Sequence, residues 1–271
     1  MSVGIVIPVF NQLNYTQGCL ESLRKTISPD VVIVIVNNGS SDGTTAFLST
    51  CTSATIISNP ENKGCAAAWN QGVKATTADW VVILNNDVLL SSGWLEGLVA
   101  FAEQNGLDIV SPGIREGELN YDLETYAQQF VNNTGKAVRF GVANGICFMV
   151  HRRVFEKVGL FDENFRIGQF EDSDFFKRAQ AAGFKLGTTG RSFIHHFGSI
   201  TQNSIRESKT VRPYEAENRA YFRKKWKLNW LARRLQKLRQ KAQAASWRAR
   251  ELRECGHSLM EKWRAGKLEH H

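Results

Sequence analysis

The sequence predicts an α/β protein built on a doubly wound parallel sheet and followed by a basic helical segment. Three observations carry that prediction. Short β-branched runs alternate with helical periodicities through the first third of the chain, polar turns follow the strands, and the charge balance changes sign near residue 205. Alternating βα order sets strands side by side in parallel, with helices on both faces.

The elements follow in order. Residues 3–8 and 31–36 are β-branched runs closed by polar turns, as strands buried on both faces should be. Between them Leu13, Leu20, Leu23 and Ile27 recur at helical spacing. The alternation continues with a helix over 44–50, a strand over 54–58, a helix over 65–75 and a strand over 80–84. Ligands of such sheets bind beyond the carboxyl ends of the strands. The segments found there are Pro8-Val9-Phe10-Asn11, Asn37-Asn38-Gly39-Ser40-Ser41-Asp42-Gly43, Asn59-Pro60-Glu61-Asn62-Lys63-Gly64 and Asn85-Asn86-Asp87. Any one of them is ordinary turn and capping chemistry. Four at one sheet edge point to a ligand. No GxGxxG follows the first strand and no GxxxxGK[ST] occurs, which argues against a dinucleotide or P-loop site. Asp87, ending an apolar strand, is placed to hold a divalent cation against a diphosphate, provided that the substrate's phosphates complete the shell.

Composition bounds the rest. Hydrophobic residues are 42% of the 271 and charged residues 22%, enough for a substantial core. No apolar run reaches the roughly 18 to 20 residues of a spanning helix. Five separated cysteines without a CxxC suggest neither zinc nor a disulfide framework, and read as reduced cytoplasmic thiols. Residues 1–205 hold 15 Lys and Arg against 19 Asp and Glu, while the remainder holds 19 against 7. Such a shift marks a boundary between a body and an interaction segment, expected near Glu207 to Pro213. Leu268-Glu269-His270-His271 reads as a tag remnant.

The ordered motifs resemble those of family 2 glycosyltransferases. The matching residues are Ile7-Pro8-Val9-Phe10-Asn11, Val36 to Thr44, Asn62-Lys63-Gly64 with Asn70-Gln71-Gly72, and Leu84-Asn85-Asn86-Asp87. Gly145 to Val150, Val158 to Phe165, Glu171-Asp172-Ser173-Asp174 and His196 with Gly198 resemble the acceptor half of the branch that includes bacterial rhamnosyltransferases. The resemblance spans roughly residues 3–201. It implies a GT-A fold with a mixed sheet, a Rossmann-like nucleotide-binding half over about 1–112 and an acceptor half over 113–205. It also implies inverting transfer of a sugar from a nucleotide-diphosphate donor, helped by Mn²⁺ or Mg²⁺. Donor binding then falls to Pro8, Val9, Phe10, Asn11, Asn37, Asn38, Asp42, Lys63, Gly64, Asn70, Asn85 and Asn86, with Lys63 as a diphosphate clamp. Asp87 and His196 are the implied metal ligands, with His195 the fallback. The family's usual DxD appears as Asn85-Asn86-Asp87, so Asp87 is its one anionic ligand and Asn85 serves the ribose or a water. Asn37 stands where an Asp is common, and an amide both donates and accepts, which leaves the base open between UDP- and dTDP-sugars.

Inverting displacement needs a base beside the acceptor hydroxyl and stabilisation of the departing phosphates. Three carboxylates in the four residues 171–174 exceed what one helix cap uses. The resemblance assigns Asp172 as the base, with Glu171 and Asp174 touching the acceptor or orienting it. Residues 113–118 read as a loop, and Tyr121, Tyr126, Phe130 and Phe140 as lining for the acceptor side. The acceptor class, whether glycan, lipid-linked or protein, stays open.

In the basic segment Leu228, Leu231, Leu235, Leu238, Ala242, Ala245, Ala249 and Leu252 form a heptad seam, extended by Leu259 and Trp263. The seam favours homo-oligomerisation through a helix. Trp226, Trp230, Trp247 and the intervening cations support a competing reading, in which a cytoplasmic protein makes peripheral contact with the anionic inner face of the membrane. Nucleic-acid binding rests on charge alone. Two other functions share the fold: a non-catalytic sugar-nucleotide binder, and a nucleotidyltransferase. The latter would need a Gly-rich basic loop after the first strand, which Pro8-Val9-Phe10-Asn11-Gln12 does not supply.

Overall fold

The computed structural model describes residues 1–198, 200–201, 204–205 and 214–271. The boundary expected near Glu207 to Pro213 lies outside them. Strand β1 (Val3–Val9) sits centrally, parallel to β2 (Val32–Asn38) on one side and to β4 (Trp80–Leu84) on the other, with β3 (Thr55–Asn59) parallel to β2 beyond. The chain runs outward through β1, β2 and β3 and then returns to pair β4 with β1, which opens a crevice at the carboxyl ends of β1 and β4. Helices α1 (Leu13–Thr26), α2 (Thr44–Leu48) and α3 (Cys65–Lys74) make the crossovers. A Cβ on Gly72 of α3 would lie 2.1 Å from Val6, so this helix packs on the sheet only because position 72 has no side chain.

The sheet then turns mixed. Beyond β4 come β8 (Cys147–His151), antiparallel, and β6 (Ile109–Glu116), antiparallel to β8. The long strand β9 (Leu186–His196) runs parallel to β6 and also pairs with the short strands β5 (Val88–Leu90) and β7 (Val138–Phe140). Both faces are buried. Ile5 and Ile7 of β1 join Leu84, Trp94 and Leu98 under α1 and α4 (Trp94–Asn105). Val6 joins Val81, Ile83, Phe148 and Phe175 under α3, α6 (Arg152–Val158) and α7 (Glu171–Ala181). Alternate residues of one strand thus fill two cores, which is why these strands read as continuous apolar runs.

The second half departs from expectation in three places. Gly113 to Glu116, read as loop, are the distal part of β6, displaced in register after Pro112. Tyr121, Tyr126 and Phe130, read as lining, pack together with Phe193 and Leu259 in a small core, Tyr126 and Phe130 from helix α5 (Leu123–Thr134), and Phe140 is exposed on β7.

The C-terminal segment is the third departure. It forms α8 (Tyr214–Lys225) and α9 (Trp230–Cys255), and the seam stops at Gly256, whose left-handed φ of 69° closes the helix. Leu259 is fully buried, and strand β10 (Met260–Arg264) joins the sheet parallel to β6, with Met260 opposite Ile114. Of the residues read as a tag remnant, Leu268, Glu269 and His270 belong to the final strand β11 (Lys267–His270), antiparallel to β10. No helix among the described residues is long and apolar enough to cross a membrane.

Candidate functional site

A cavity of about 320 Å³ opens at the β1/β4 crevice. Pro8, Val9 and Phe10 line it from the end of β1, Asn38 from β2, Asn85 and Asp87 from the turn after β4, Gly145 and Ile146 from the approach to β8, Glu171 and Asp172 from the first turn of α7, and His196 from the end of β9. Residues far apart in sequence meet there because their strands end at one edge.

The nucleotide side is knitted by side-chain amides. Asn11 Oδ1 accepts from Ser41 N at 2.7 Å, Asn37 Oδ1 accepts from Ser40 N at 3.1 Å and Asn37 Nδ2 donates to Thr45 Oγ1 at 2.9 Å. Asp42 accepts from Leu13 N at 3.1 Å and from the Thr44 hydroxyl at 2.5 Å. Asn11, Asn37 and Asp42 thereby fix the turn after β2 against the start of α1, with those polar atoms engaged and outside the cavity lining. Asn38 Oδ1 accepts from Asn59 Nδ2 and Lys63 N, while its Nδ2 donates to Asn62 Oδ1 and the Gly64 carbonyl. Lys63 is exposed and beyond the lining, Asn86 Nδ2 donates to Thr16 Oγ1 at 2.9 Å, and Asn70 bridges to Phe161 and Glu163. Asn38 thus lines the cavity with its amide held by neighbours, whereas Lys63, Asn70 and Asn86 lie outside the lining.

On the opposite wall the two adjacent histidines part, and His196 is the one that lines the cavity. Successive strand residues point to opposite faces. His195 turns away, its Nδ1 2.8 Å from the Tyr121 hydroxyl, and burial holds it down at about 4, a neutral core histidine. His196 faces the cavity with Nε2 3.4 Å from Asp87 Oδ1 and Nδ1 3.3 Å from Glu116 Oε2. Burial opposes charge on this ring, but the flanking Asp87 and Glu116 outweigh it and lift His196 to about 9. Glu116 is drawn down to about 2 by His196, with Lys262 of β10 adding to the effect against burial. Its other oxygen meets the Lys262 ammonium. Glu116 and Lys262 escaped the sequence reading, one inside an apparent loop and the other in an apparent tail.

The arrangement suits a divalent cation. His196 Nε2 is buried without a hydrogen-bond partner and faces a carboxylate oxygen, and the Glu116 carboxylate behind Nδ1 orients the ring as carboxylates do behind metal-bound histidines. No cluster of three or more ligating side chains occurs among the described residues, so two protein ligands would leave the remaining positions to phosphate and water.

Glu171 and Asp172 begin α7 at the third wall. Glu171 Oε2 is buried without a partner, and burial followed by the adjacent Asp172 charge pushes Glu171 up to about 8. Burial raises Asp172 as well. Asp172 Oδ1 accepts from Ser173 N at 2.6 Å, and a Cβ on Gly145 would lie 2.2 Å from Oδ2, so Gly145 leaves the carboxylate its room. Asp174, expected beside the acceptor, is instead fully buried beneath the turn. It accepts from Arg178 Nε at 2.8 Å, Lys225 Nζ at 2.9 Å and Trp226 Nε1 at 3.0 Å.

The segment before these carboxylates is strained. Ile167, Gln169 and Phe170 have φ of 59°, 76° and 77°, left-handed values that are costly for side chains and most of all for a β-branched one. Among the contacts that hold it, Cys65 N donates to the Ile167 carbonyl at 2.7 Å, and buried Asn218 of α8 takes four bonds. Asn218 Oδ1 accepts from Arg166 N, and Nδ2 donates to the carbonyls of Arg166, Gly168 and Gln169 at 2.9, 2.8 and 3.2 Å. One asparagine among charged helix residues gave no sequence signal of that role.

The raised Glu171 has a consequence for stability. A folded-state pKa above the ordinary carboxylate value gives stability that is fully present below the ordinary range and is lost as pH rises through about 8. Wild-type melting temperature should therefore fall relative to Glu171→Gln between about pH 5 and about pH 8 in metal-free buffer. Parallel melting curves for the two proteins across that range would mean that Glu171 ionises normally.

Comparison with known proteins accords with this geometry. Residues 4–168 match the family model for glycosyl transferase family 2. "Glycosyltransferase AglE" of Haloferax volcanii is 28% identical over 76% of this chain and 72% of its own length. "Pre-mycofactocin glycosyltransferase" of Mycobacterium tuberculosis is 32% identical over 72% of this chain, which spans only 42% of that relative. Among solved structures, the mannosyltransferase PcManGT from Pyrobaculum calidifontis, in complex with GDP-Man and Mn²⁺, superposes with a TM-score of 0.56 at 20% identity, covering 72% of this chain and 56% of that one. The shared architecture is the GT-A fold. With more than half of its length matched by the family model, the chain belongs to the glycosyltransferases of family 2.

Proposed function

We propose that this glycosyltransferase transfers a sugar, with inversion, from a nucleoside-diphosphate donor, UDP- or dTDP-linked, to an acceptor hydroxyl, with Asp172 as general base. One observation carries the reading: a single cavity brings together the nucleotide-side turns, the Asp87–His196 pair and the Glu171–Asp172 pair. The acceptor hydroxyl gives its proton to Asp172 as its oxygen attacks the anomeric carbon, and the bond to the diphosphate breaks on the opposite face. Burial raises both carboxyls of the pair, Glu171 to about 8 and Asp172 in the same direction, which strengthens Asp172 as a proton acceptor. Trp69 adds a buried indole N–H without a partner in the cavity lining, a donor for a sugar or phosphate oxygen.

Asp87 and His196 would hold the divalent cation, Mn²⁺ or Mg²⁺, which supplies charge neutralisation for the leaving diphosphate. Glu116 and Lys262 fix the imidazole so that Nε2 stays presented to that position. The acceptor is a glycan, a lipid-linked glycan or a protein, and the free thiols of all five cysteines support a reducing, cytoplasmic setting.

Titration of nucleoside diphosphates with and without Mn²⁺, followed by melting temperature, tests donor and cation together. Asp87→Ala should abolish the Mn²⁺ enhancement of nucleotide affinity while the metal-free protein stays folded. Full enhancement in the variant would remove Asp87 from the cation's shell. The rival reading as a non-catalytic binder predicts nucleotide affinity without release of diphosphate from any donor sugar.

A further inference from the structure

The last third of the chain carries a surface that the transfer reaction does not use. Between Glu217 and Glu251 the sequence holds twelve Lys and Arg and no acidic residue. Within that stretch the second half of α9 is fastened to the body. Glu251 pairs with Arg139 at 2.7 and 2.8 Å, Arg250 donates to the Val138 carbonyl at 2.9 Å, and the Trp247 ring lies 5.6 Å from the Arg139 guanidinium. The first half presents Trp230, Leu231, Leu235 and Leu238 to solvent, 62, 57, 47 and 56% exposed.

Helical geometry relates the two halves. At about 100° per residue, Leu231, Leu235, Leu238, Ala242, Ala245 and Ala249 fall within an arc of about 80°, while Trp247 and Glu251 lie about 160° from its centre. The apolar stripe therefore faces away from the body along the whole helix. Arg234 and Lys241 flank it on one side and Arg239 on the other. An isolated helix of this length is marginal in water, so an uncovered stripe of leucines calls for an occupant.

Charge selects that occupant. A second copy of α9 laid along the seam would bring Arg234, Lys241 and Arg239 against their own counterparts, with no acidic residue on either flank to pair them in parallel or antiparallel packing. A sheet of anionic headgroups meets the opposite condition. Leucines enter the acyl boundary, flanking cations reach outward to the headgroups, and Trp230, with Arg234 5.4 Å from its ring, suits the interface between them. We infer that the stripe of α9 is an in-plane docking surface for an anionic bilayer. The inference does not depend on the reaction assigned above.

The test is flotation of the full chain with vesicles of phosphatidylcholine alone or with one third phosphatidylglycerol, at low and high salt. Binding should require the anionic lipid and weaken at least about tenfold on raising salt beyond the point where the Debye length falls below about 8 Å. The triple variant Leu231→Ser, Leu235→Ser, Leu238→Ser should lose binding under all conditions. Arg234→Gln, Arg239→Gln, Lys241→Gln should lose the preference for anionic lipid. Both variants should keep the wild-type shift in melting temperature with nucleoside diphosphate, which separates docking from the active-site reading. Absence of flotation with anionic vesicles would overturn the inference. So would a lipid-free dimer seen by light scattering that the serine variant abolishes, since a second copy would then cover the stripe.

Discussion

Asp172→Asn should lower turnover by at least about a hundredfold while leaving donor affinity nearly unchanged, the pattern of a lost general base rather than a lost binding contact. The substitution preserves volume. An Asn side chain still accepts from Ser173 N through its oxygen and still fits beside Gly145, but cannot take the acceptor proton. Single-turnover rates and nucleotide affinity separate the two effects. Near-native turnover in Asp172→Asn combined with collapse in Glu171→Gln would transfer the role to Glu171. Asp174→Asn should behave differently from both. Its carboxylate serves Arg178, Lys225 and Trp226 in the interior, so the loss should appear as a lower melting temperature, about 3–5 kcal/mol for breaking a buried ionic network.

The second large effect comes from α8. Asn218→Ala should reduce kcat by about tenfold or more with little change in donor KM, because the carboxylates of Glu171 and Asp172 hang from a strained segment that Asn218 holds. Left-handed Ile167, Gln169 and Phe170 cost about 1–3 kcal/mol each and persist only while their surroundings over-determine them. Removing four side-chain bonds lets the segment relax. Asn218→Asp should be at least as damaging, since it replaces a donor to three carbonyls with an anion facing them. A variant with lowered melting temperature but unchanged kcat would show that the segment keeps its shape unaided. By the same reasoning, a chain ending before residue 214 should retain the nucleotide turns and lose turnover. On that expectation the catalytic unit runs past the change of charge near residue 205 and includes α8.

The contrast between the two halves has a physical origin. Strands β1 and β4 are buried on both faces and β2 along most of its length, so their sequences are nearly uninterrupted apolar runs, and the expected bounds of β1 to β4 differ from the observed ones by at most two residues. The cavity lining by Asn38, Asn85, Asp87, Asp172 and His196 was legible because each ends a strand or begins a helix at the sheet's carboxyl edge. Asn11, Asn37, Asp42 and Asn70 carry the same residue types, but hydrogen bonds with neighbours employ them, and sequence alone does not distinguish an engaged amide from a free one. Strand β10 was illegible for another reason. Its Met-Glu-Lys-Trp-Arg alternation looks like exposed helix because the buried member is Glu261, made tolerable by the Tyr126 hydroxyl at 2.6 Å and by His257.

The pairing of Met260 with Ile114 also orders events during synthesis. The two residues are separated by 145 others, so a ribosome working at about 5–20 residues per second needs on the order of ten seconds to deliver the second after the first. Until then the distal edge of β6 has no neighbour at β10, and Glu116 waits without its lysine. A nascent chain emerging from the tunnel can assemble β1 to β4 early, yet it cannot complete the support behind His196 before Lys262 has been made and has left the tunnel. Translation itself thereby sets a delay between formation of the nucleotide half and completion of the wall behind His196.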